Sequence, residues 1–239
     1  MLKTYFKGFQ MEEGLRTQPW TSAERDENER YYNFRQHPEL IYEVLEDYKP
    51  WDHYEAIQLF YGLLAWVNGP ESRFESNDCA FHGPADNFQK DRFPKELMCS
   101  GRLMFFFREL TFNLSVDSRQ VVITDQRRPP RYSANLLFQW FVNRSMELID
   151  QLHQETRWAC VAPELSPVRY DDALASPEDR FGYQLSFGFW AWGDDEQETM
   201  ENLSAAVDTI LQVLKTTSDE LPAAIQNIVN NAKKSEEKN

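Results

Sequence analysis

The 239-residue chain predicts an α+β fold: a mainly antiparallel sheet packed with several amphipathic helices, in a single domain. Three observations carry this prediction. Segments of period two and segments of helical period come in groups rather than in strict alternation, which argues against a doubly wound parallel sheet. The run from Phe181 to Trp192 alternates over its whole length, as a strand with one buried face does. No Gly/Ser-rich linker and no fixed-period repeat divides the chain, and its length is enough for one well-formed core.

The elements follow in order. At the start, Leu2, Thr4 and Phe6 alternate with Lys3, Tyr5 and Lys7, which predicts a first strand. The same stretch lacks the apolar core of a secretory signal. Glu39–Leu45 is apolar at a helical period, entered at His37-Pro38 and closed by Lys49-Pro50. A second helix is expected from about Asp52 to Val67, its face built by Ala56, Leu59, Phe60, Leu63, Leu64 and Val67 and its end marked by Asn68-Gly69-Pro70. Residues 70–94, rich in Ser, Asn, Asp, Gly and Pro, read as a long loop. Arg102–Phe107, Thr111–Val116 and Gln120–Thr124 have the aromatic and β-branched content of strands. From Ser133, placed as an N-cap, to about Glu155 the period is helical again. Trp158–Ala162 is expected to be a short buried strand. In the strand Phe181–Trp192, Phe181, Tyr183, Leu185, Phe187, Phe189 and Ala191 share one face and Trp190 and Trp192 the other. A helix from about Glu196 to Lys215 follows, then a last amphipathic segment around Leu221, Ile225, Ile228 and Val229. The domain is expected to end at residue 232, leaving 233–239 as a disordered charged tail.

Charge narrows the partners. The net charge is −14, from 25 basic and 39 acidic side chains. Between Asp171 and Glu201 nine carboxylates face one base, Arg180, and from Glu12 to Glu55 twelve acids face five bases. Asp86–Arg131 is mildly positive, with six acids and nine bases. Such a field repels nucleic acid and anionic membrane and draws in basic proteins; Arg127, Arg128 and Arg131 form at most a local basic patch. No run has the length of a membrane helix. Cys79, Cys99 and Cys160 are irregularly spaced without a C-x-x-C, so neither a disulfide framework nor a zinc knuckle is indicated; inert thiols in a reducing cytoplasm are expected.

Motifs for chemistry are scarce. Phosphate loops, dinucleotide fingerprints, nucleophile elbows and zinc helices are all missing. The four histidines, His37, His53, His82 and His153, contain no i, i+4 pair, so the expectation is no catalytic residue, no metal and no cofactor. Asp78-Cys79-Ala80-Phe81-His82 has the residue types of a thiol nucleophile but reads better as an ordinary polar loop. Asp171-Asp172 with Glu178-Asp179 lacks the spacing of a calcium loop and reads as a solvated one. More informative is the strand end Trp190-Ala191-Trp192-Gly193 running into Asp194, Asp195, Glu196 and Glu198. Acids in the first helical turn offset the macrodipole and cap free N–H groups without any partner. Two large aromatics beside them also match a surface for a cationic protein, with rings as anchors and carboxylates for steering.

The helix Tyr54–Leu64 running into Ala65-Trp66-Val67-Asn68-Gly69-Pro70-Glu71-Ser72, together with the aromatic strand leading to an acidic helix start, resembles bacterial immunity proteins. These are the cytosolic antidotes of polymorphic and type VI-secreted toxins, in particular the α+β family paired with restriction-endonuclease-fold toxins. The resemblance implies inhibition by tight binding, without catalysis or cofactor, of a cognate, nuclease-type toxin. From the acidic field and the strand end, not from the resemblance, the expected binding residues are Trp190, Trp192, Asp194, Asp195, Glu196, Glu198, Asp171 and Asp172, with 1:1 or, for a homodimer, 2:2 stoichiometry. An enzyme of unfamiliar type and a phage or secretion-machine adaptor are the alternatives.

Overall fold

Every second side chain of strand β5 (Phe181–Gly193) from Leu185 onward, namely Leu185, Phe187, Phe189 and Ala191, is buried in the core. The computed structural model describes residues 9–11, 34–35, 37–107, 131–152, 158–172 and 181–236. Antiparallel to β5 run β3 (Leu97–Phe107) on one side and β4 (Ala159–Asp172) on the other. Strand β2 (Phe74–Asp86) extends the sheet antiparallel to β3, and the short β1 (Phe9–Met11) lies parallel to the end of β4. The order among the described residues is β1-β4-β5-β3-β2. The α+β class holds, with one parallel pairing in an otherwise antiparallel sheet.

Helix α1 (Glu55–Asn68), helix α2 (Arg131–Leu152) and helix α3 (Glu196–Glu236) cover one face of the sheet. The last crosses β5 and β4 between the other two, α1 lying toward β2 and α2 toward β4. Aromatic rings fill the space beneath. Phe141 of α2 meets Phe74, Phe105, Phe107 and Phe187 at centroid distances of 5.6 to 6.1 Å. On the α1 side, Tyr48 stacks on Phe60 and Phe81, and Phe60 reaches Phe189. Edge and offset contacts of this kind add to the area each ring buries.

Several expectations are corrected, each for a local reason. Glu39–Leu45 forms only a 3-10 turn, Pro38–Tyr42, in which Ile41 is buried and Tyr42 exposed; so short a segment gains too few hydrogen bonds to nucleate an α-helix. Lys49-Pro50 opens a second 3-10 turn, Lys49–Trp51, because the fixed φ of proline suits a first turn. Residues 74–86 are strand, not loop. A register shift between Ser76 and Asp78 puts Phe74 and Ser76, then Cys79 and Phe81, opposite core-facing partners, which hides the alternation; Pro84 sits at a second shift between His82 and Ala85.

The short strand expected at 158–162 continues to Asp172. Among the described residues β1 pairs only with Tyr170–Asp172, so Pro163 and Pro167 lie where β4 has no described outer neighbour and an N–H is dispensable. Ser133 is the third residue of α2 rather than its cap. The two expected C-terminal helices are one, running through Pro222. The polar stretch between them is buried: the Thr217 hydroxyl donates to the Val213 carbonyl at 2.8 Å, and Ser218 Oγ accepts from the Arg73 N–H at 3.2 Å. Lys233–Glu236 belong to this helix rather than to a disordered tail. The strands expected at Leu2–Phe6, Thr111–Val116 and Gln120–Thr124, the bases Arg127 and Arg128, the pair Glu178-Asp179 and residues 237–239 lie outside the described residues. Among those described, no helix is long and apolar enough to cross a membrane.

Candidate partner interface

The acidic start of α3 stands at one end of the sheet, where β5 finishes. A Cβ on Gly193 would lie 2.4 Å from the Thr199 backbone nitrogen, so only glycine lets the first turn fold back this closely onto the strand. Asp195 is the cap: its Oδ1 accepts from the Glu198 N–H at 2.8 Å. Glu198 reaches back and accepts from the Asp194 N–H at 2.6 Å, a variant of the capping box. The Thr199 hydroxyl donates to the Asp195 carbonyl at 2.6 Å. Glu196 accepts a short hydrogen bond from the Tyr54 hydroxyl just before α1, which raises the Tyr54 pKa above the usual phenol value.

Lys95, on the chain between β2 and β3, ties these acids to the sheet. Its Nζ lies 2.7 Å from Asp194 Oδ2 and 2.6 Å from Glu198 Oε1, and 5.3 Å from the centre of the Trp158 ring. The hydrogen bonds to Asp194 and then Glu198 raise the Lys95 pKa, so the ammonium is charged at any physiological pH. Lys95 itself is shielded, with 11 % of its side chain exposed, whereas 62 % of Asp194 faces solvent. The carboxylates are therefore fixed in place but still accessible.

The two tryptophans divide. Trp192 is buried, 4 % exposed, stacked on Phe93 at 4.1 Å and 19°; it is a packing residue, not a free anchor. Trp190 is partly exposed on the sheet face away from the helices and lies back over Gly188, where a Cβ would meet its Cη2 at 2.5 Å. Its row on that face is Cys160–Trp190–Ser100–His82, with Cys160 and His82 exposed. Cys160 is thus exposed, whereas Cys99 is buried and Cys79 partly so. Cys79 and Cys99 are pushed up to about 12 by burial.

The structure separates what the sequence grouped. Asp171 and Asp172 are the last residues of β4, not a loop, and pair with Gln10 and Met11. Ala159 at the other end of β4 faces Ala191, close to Asp194. Twelve residues of strand from Ala159 to Asp171, at ~3.3 Å each, put about 40 Å of strand path between the two acidic groups. They do not form one surface. Asp78, Cys79 and His82 are dispersed as well: Asp78 holds Arg102 at 2.7 Å, while Cys79 and His82 fall opposite Leu103 and Ser100, on different faces. Among the described residues, no group of three or more His, Cys, Asp or Glu is placed to hold a metal ion.

Sequence reasoning missed Lys95, because its partners are about a hundred positions away and nothing local marks it. It also missed the connection from Asn87 to Glu96 that carries Lys95 and Phe93. The only local signal there was an asparagine at the end of a turn-rich stretch. Comparisons with protein-family models, curated proteins and solved structures found no match to this chain.

Proposed function

We propose that the chain is a cytoplasmic immunity-type inhibitor, which neutralises a basic, nuclease-type toxin by occluding it. One observation carries the reading. Asp194, Asp195, Glu196 and Glu198 are held in one geometry by the helix cap, Lys95 and Tyr54, with Asp194 and Asp195 still open to solvent. A fixed cluster of carboxylates loses little conformational freedom on binding, and it presents to a basic surface the charges that surface evolved to find on phosphates. The overall charge of −14 supports it by steering a cation from a distance. Trp190 supplies an accessible aromatic on the open sheet face. Asp171 and Asp172, remote along β4, belong to a separate part of the acidic field and act on approach, not at the contact.

The test uses tagged protein as bait in lysate of the source organism at low salt. The retained basic protein is purified and assayed for nuclease activity with and without the chain. Inhibition at 1:1 or 2:2 stoichiometry supports the reading. Asp194→Lys combined with Glu201→Lys leaves the Asp195 cap intact and should slow association by ~10-fold at low salt, the difference closing at high salt. A retained protein without inhibited activity, or association rates blind to both charge and salt, refutes it.

A further inference from the structure

Phe93 and Lys95, two residues apart on the β2–β3 connection, both lie against the end of β5 and the start of α3. Phe93 stacks on Trp192, with 4.1 Å between ring centres and 19° between planes. The Lys95 ammonium sits between Asp194 and Glu198 at 2.7 and 2.6 Å, and 5.3 Å from the centre of the Trp158 ring. A ring stacked on a tryptophan, and a cation held by two carboxylates and a second indole, are the contacts of a bound ligand. Here the chain itself supplies that ligand.

Each half of this contact is held without the other. On the strand side, the Trp192 N–H donates to the Trp158 carbonyl at 2.9 Å, and Asn202 Nδ2 donates to the Trp192 carbonyl at 2.8 Å. Glu198 accepts from the Asp194 N–H through Oε2, which leaves Oε1 for the ammonium, and its own N–H is capped by Asp195. On the turn side, Asn87 Nδ2 donates to the Phe93 and Lys95 carbonyls at 2.8 and 2.9 Å. The Lys95 N–H closes a γ-turn on the Phe93 carbonyl at 2.8 Å. Phe93 and Lys95 can therefore leave by side-chain rotation, with both backbones in place. Two features weaken their hold. Trp192 Nε1–H is buried with no acceptor among the described residues, a cost that the closed contact carries. The side chains of Asp194 and Glu198 are 62 % and 35 % exposed, so an incoming cation reaches them before Lys95 has left.

We infer that Phe93 and Lys95 are an internal stand-in for the partner: the site formed by Trp192, Trp158, Asp194 and Glu198 takes an aromatic ring and a neighbouring Lys or Arg from the partner, which displace them. The occupant is read from contacts that the site already makes. Exchange replaces one ring and one cation by another pair, so no carboxylate is left bare, and a carbonyl of the partner can accept from Trp192 Nε1. An acidic partner finds no place there. In the free chain the stand-in keeps Asp194 and Glu198 converged, so bracing and recognition use the same lysine. The inference rests on the inhibitor reading above and names what its carboxylates receive.

The experiment vacates the site and refills it. Phe93→Ala combined with Lys95→Ala is titrated with acetyl-Phe-Pro-Lys-amide, following the Glu198 amide and Trp192 indole N–H resonances. Saturable shifts with a Kd of ~1–10 mM are expected. Wild type, whose place is taken, should bind the peptide at least ~10-fold more weakly. Acetyl-Phe-Pro-Glu-amide should shift neither resonance. Lys95→Ala alone keeps the Phe93 stack and should bind n-propylammonium at the same Glu198 resonance, so a poorly folded double variant does not end the test. Against the purified basic protein that wild type inhibits, the vacated variant should bind at least ~10-fold tighter, because an occupant in place about nine-tenths of the time or more taxes affinity by that factor. Side chains that only brace the site predict the reverse. No shift with either probe, or equal or weaker binding of the basic protein, overturns the inference and leaves the inhibitor reading standing. Probes that bind where no inhibited basic protein exists support the site and refute the inhibitor reading.

Discussion

Adding one methyl group to the sheet should measurably destabilise the protein. Gly101 of β3 faces the core, opposite Phe189 on β5 and Phe81 on β2. A Cβ built there would lie 2.3 Å from Phe189 Cζ, 2.4 Å from its Cε2 and 2.7 Å from the Ala80 carbonyl oxygen. Carbon atoms in contact normally sit ~3.5–4.0 Å apart, so the ring would have to retreat by more than about 1 Å. It has little room: Phe189 is buried, and its centre is already 5.7 Å from that of Phe60. The Ala80 oxygen is backbone of the neighbouring strand and is less free still. Overpacking of this kind costs typically ~1–3 kcal/mol, and the backbone contact places Gly101→Ala toward ~3 kcal/mol. Urea unfolding should show a lower midpoint with an unchanged slope. The cause can be isolated with Phe189→Leu, which removes the atoms that clash most. In that background Gly101→Ala should cost at least ~1 kcal/mol less, a coupling outside the ~0.5 kcal/mol expected of independent sites. A Gly101→Ala variant as stable as wild type, or additive costs in the double variant, would refute the packing of β5 against β3 described above.

Three further outcomes follow from buried or paired groups. Asn68→Ala should destabilise by roughly 1–3 kcal/mol in the same urea assay, because Asn68 Nδ2 donates to the Leu64 carbonyl and Ser76 Oγ, both at 2.8 Å, and its Oδ1 accepts from the Ser76 N–H; a neutral result would mean the site is hydrated. In a thiol titration at pH 8, Cys160 should react first and alone, since burial pushes Cys79 and Cys99 up to about 12 and leaves on the order of 1 in 10⁴ of each as thiolate. Simultaneous reaction of three thiols in the native protein would contradict the burial of Cys99. The Arg144 guanidinium binds Glu220 through two nitrogens at 2.9 Å, joining α2 to α3 and lowering the Glu220 pKa. A lowered carboxylate pKa stabilises the fold above its unfolded value of ~4.3, and the contribution is lost as pH falls through the folded value. Arg144→Met should therefore cost at most ~1 kcal/mol at pH 7 and nothing near pH 2, and an equal cost at both would show that Arg144 acts through packing alone.

What could be read from the sequence was what local periodicity controls. α1 and β5 were legible because Leu63, Leu64 and Val67, and Phe187, Phe189 and Ala191, bury one unbroken face each. β2 was hidden by its register shift, which moves the core positions from even to odd numbers after Ser76. The unity of α3 was hidden because Thr217 and Ser218 look like a loop until their hydroxyls are seen bonded to Val213 and Arg73. In the candidate interface the acids at 194, 195, 196 and 198 were recognisable from composition, yet their arrangement depends on Lys95 and Tyr54, some hundred or more residues distant. Trp190 and Trp192 have the same strand parity and yet differ in exposure. Phe93 stacks on Trp192, and Asn87 holds the Phe93 carbonyl.

The acidic helix start has two readings, a cap for α3 and a surface for a cation, and Lys95 reconciles them. Without a base among them, four carboxylates within five residues would repel one another and splay toward water, leaving the cap as their only common role. Lys95 draws Asp194 and Glu198 to a single point while Glu198 closes the turn on the Asp194 N–H. Those same acids raise the lysine pKa. A raised lysine pKa stabilises at every pH below its unfolded value of ~10.4, and the contribution fades only as pH climbs through the folded value. Through the whole physiological range the cluster is therefore braced, and its local charge remains negative because one ammonium meets four carboxylates. Capping accounts for Asp195 and half of Glu198. It does not require a lysine from the β2–β3 connection to span to α3, nor does it explain why that connection is pinned at Asn87 while Phe88 is left in solvent.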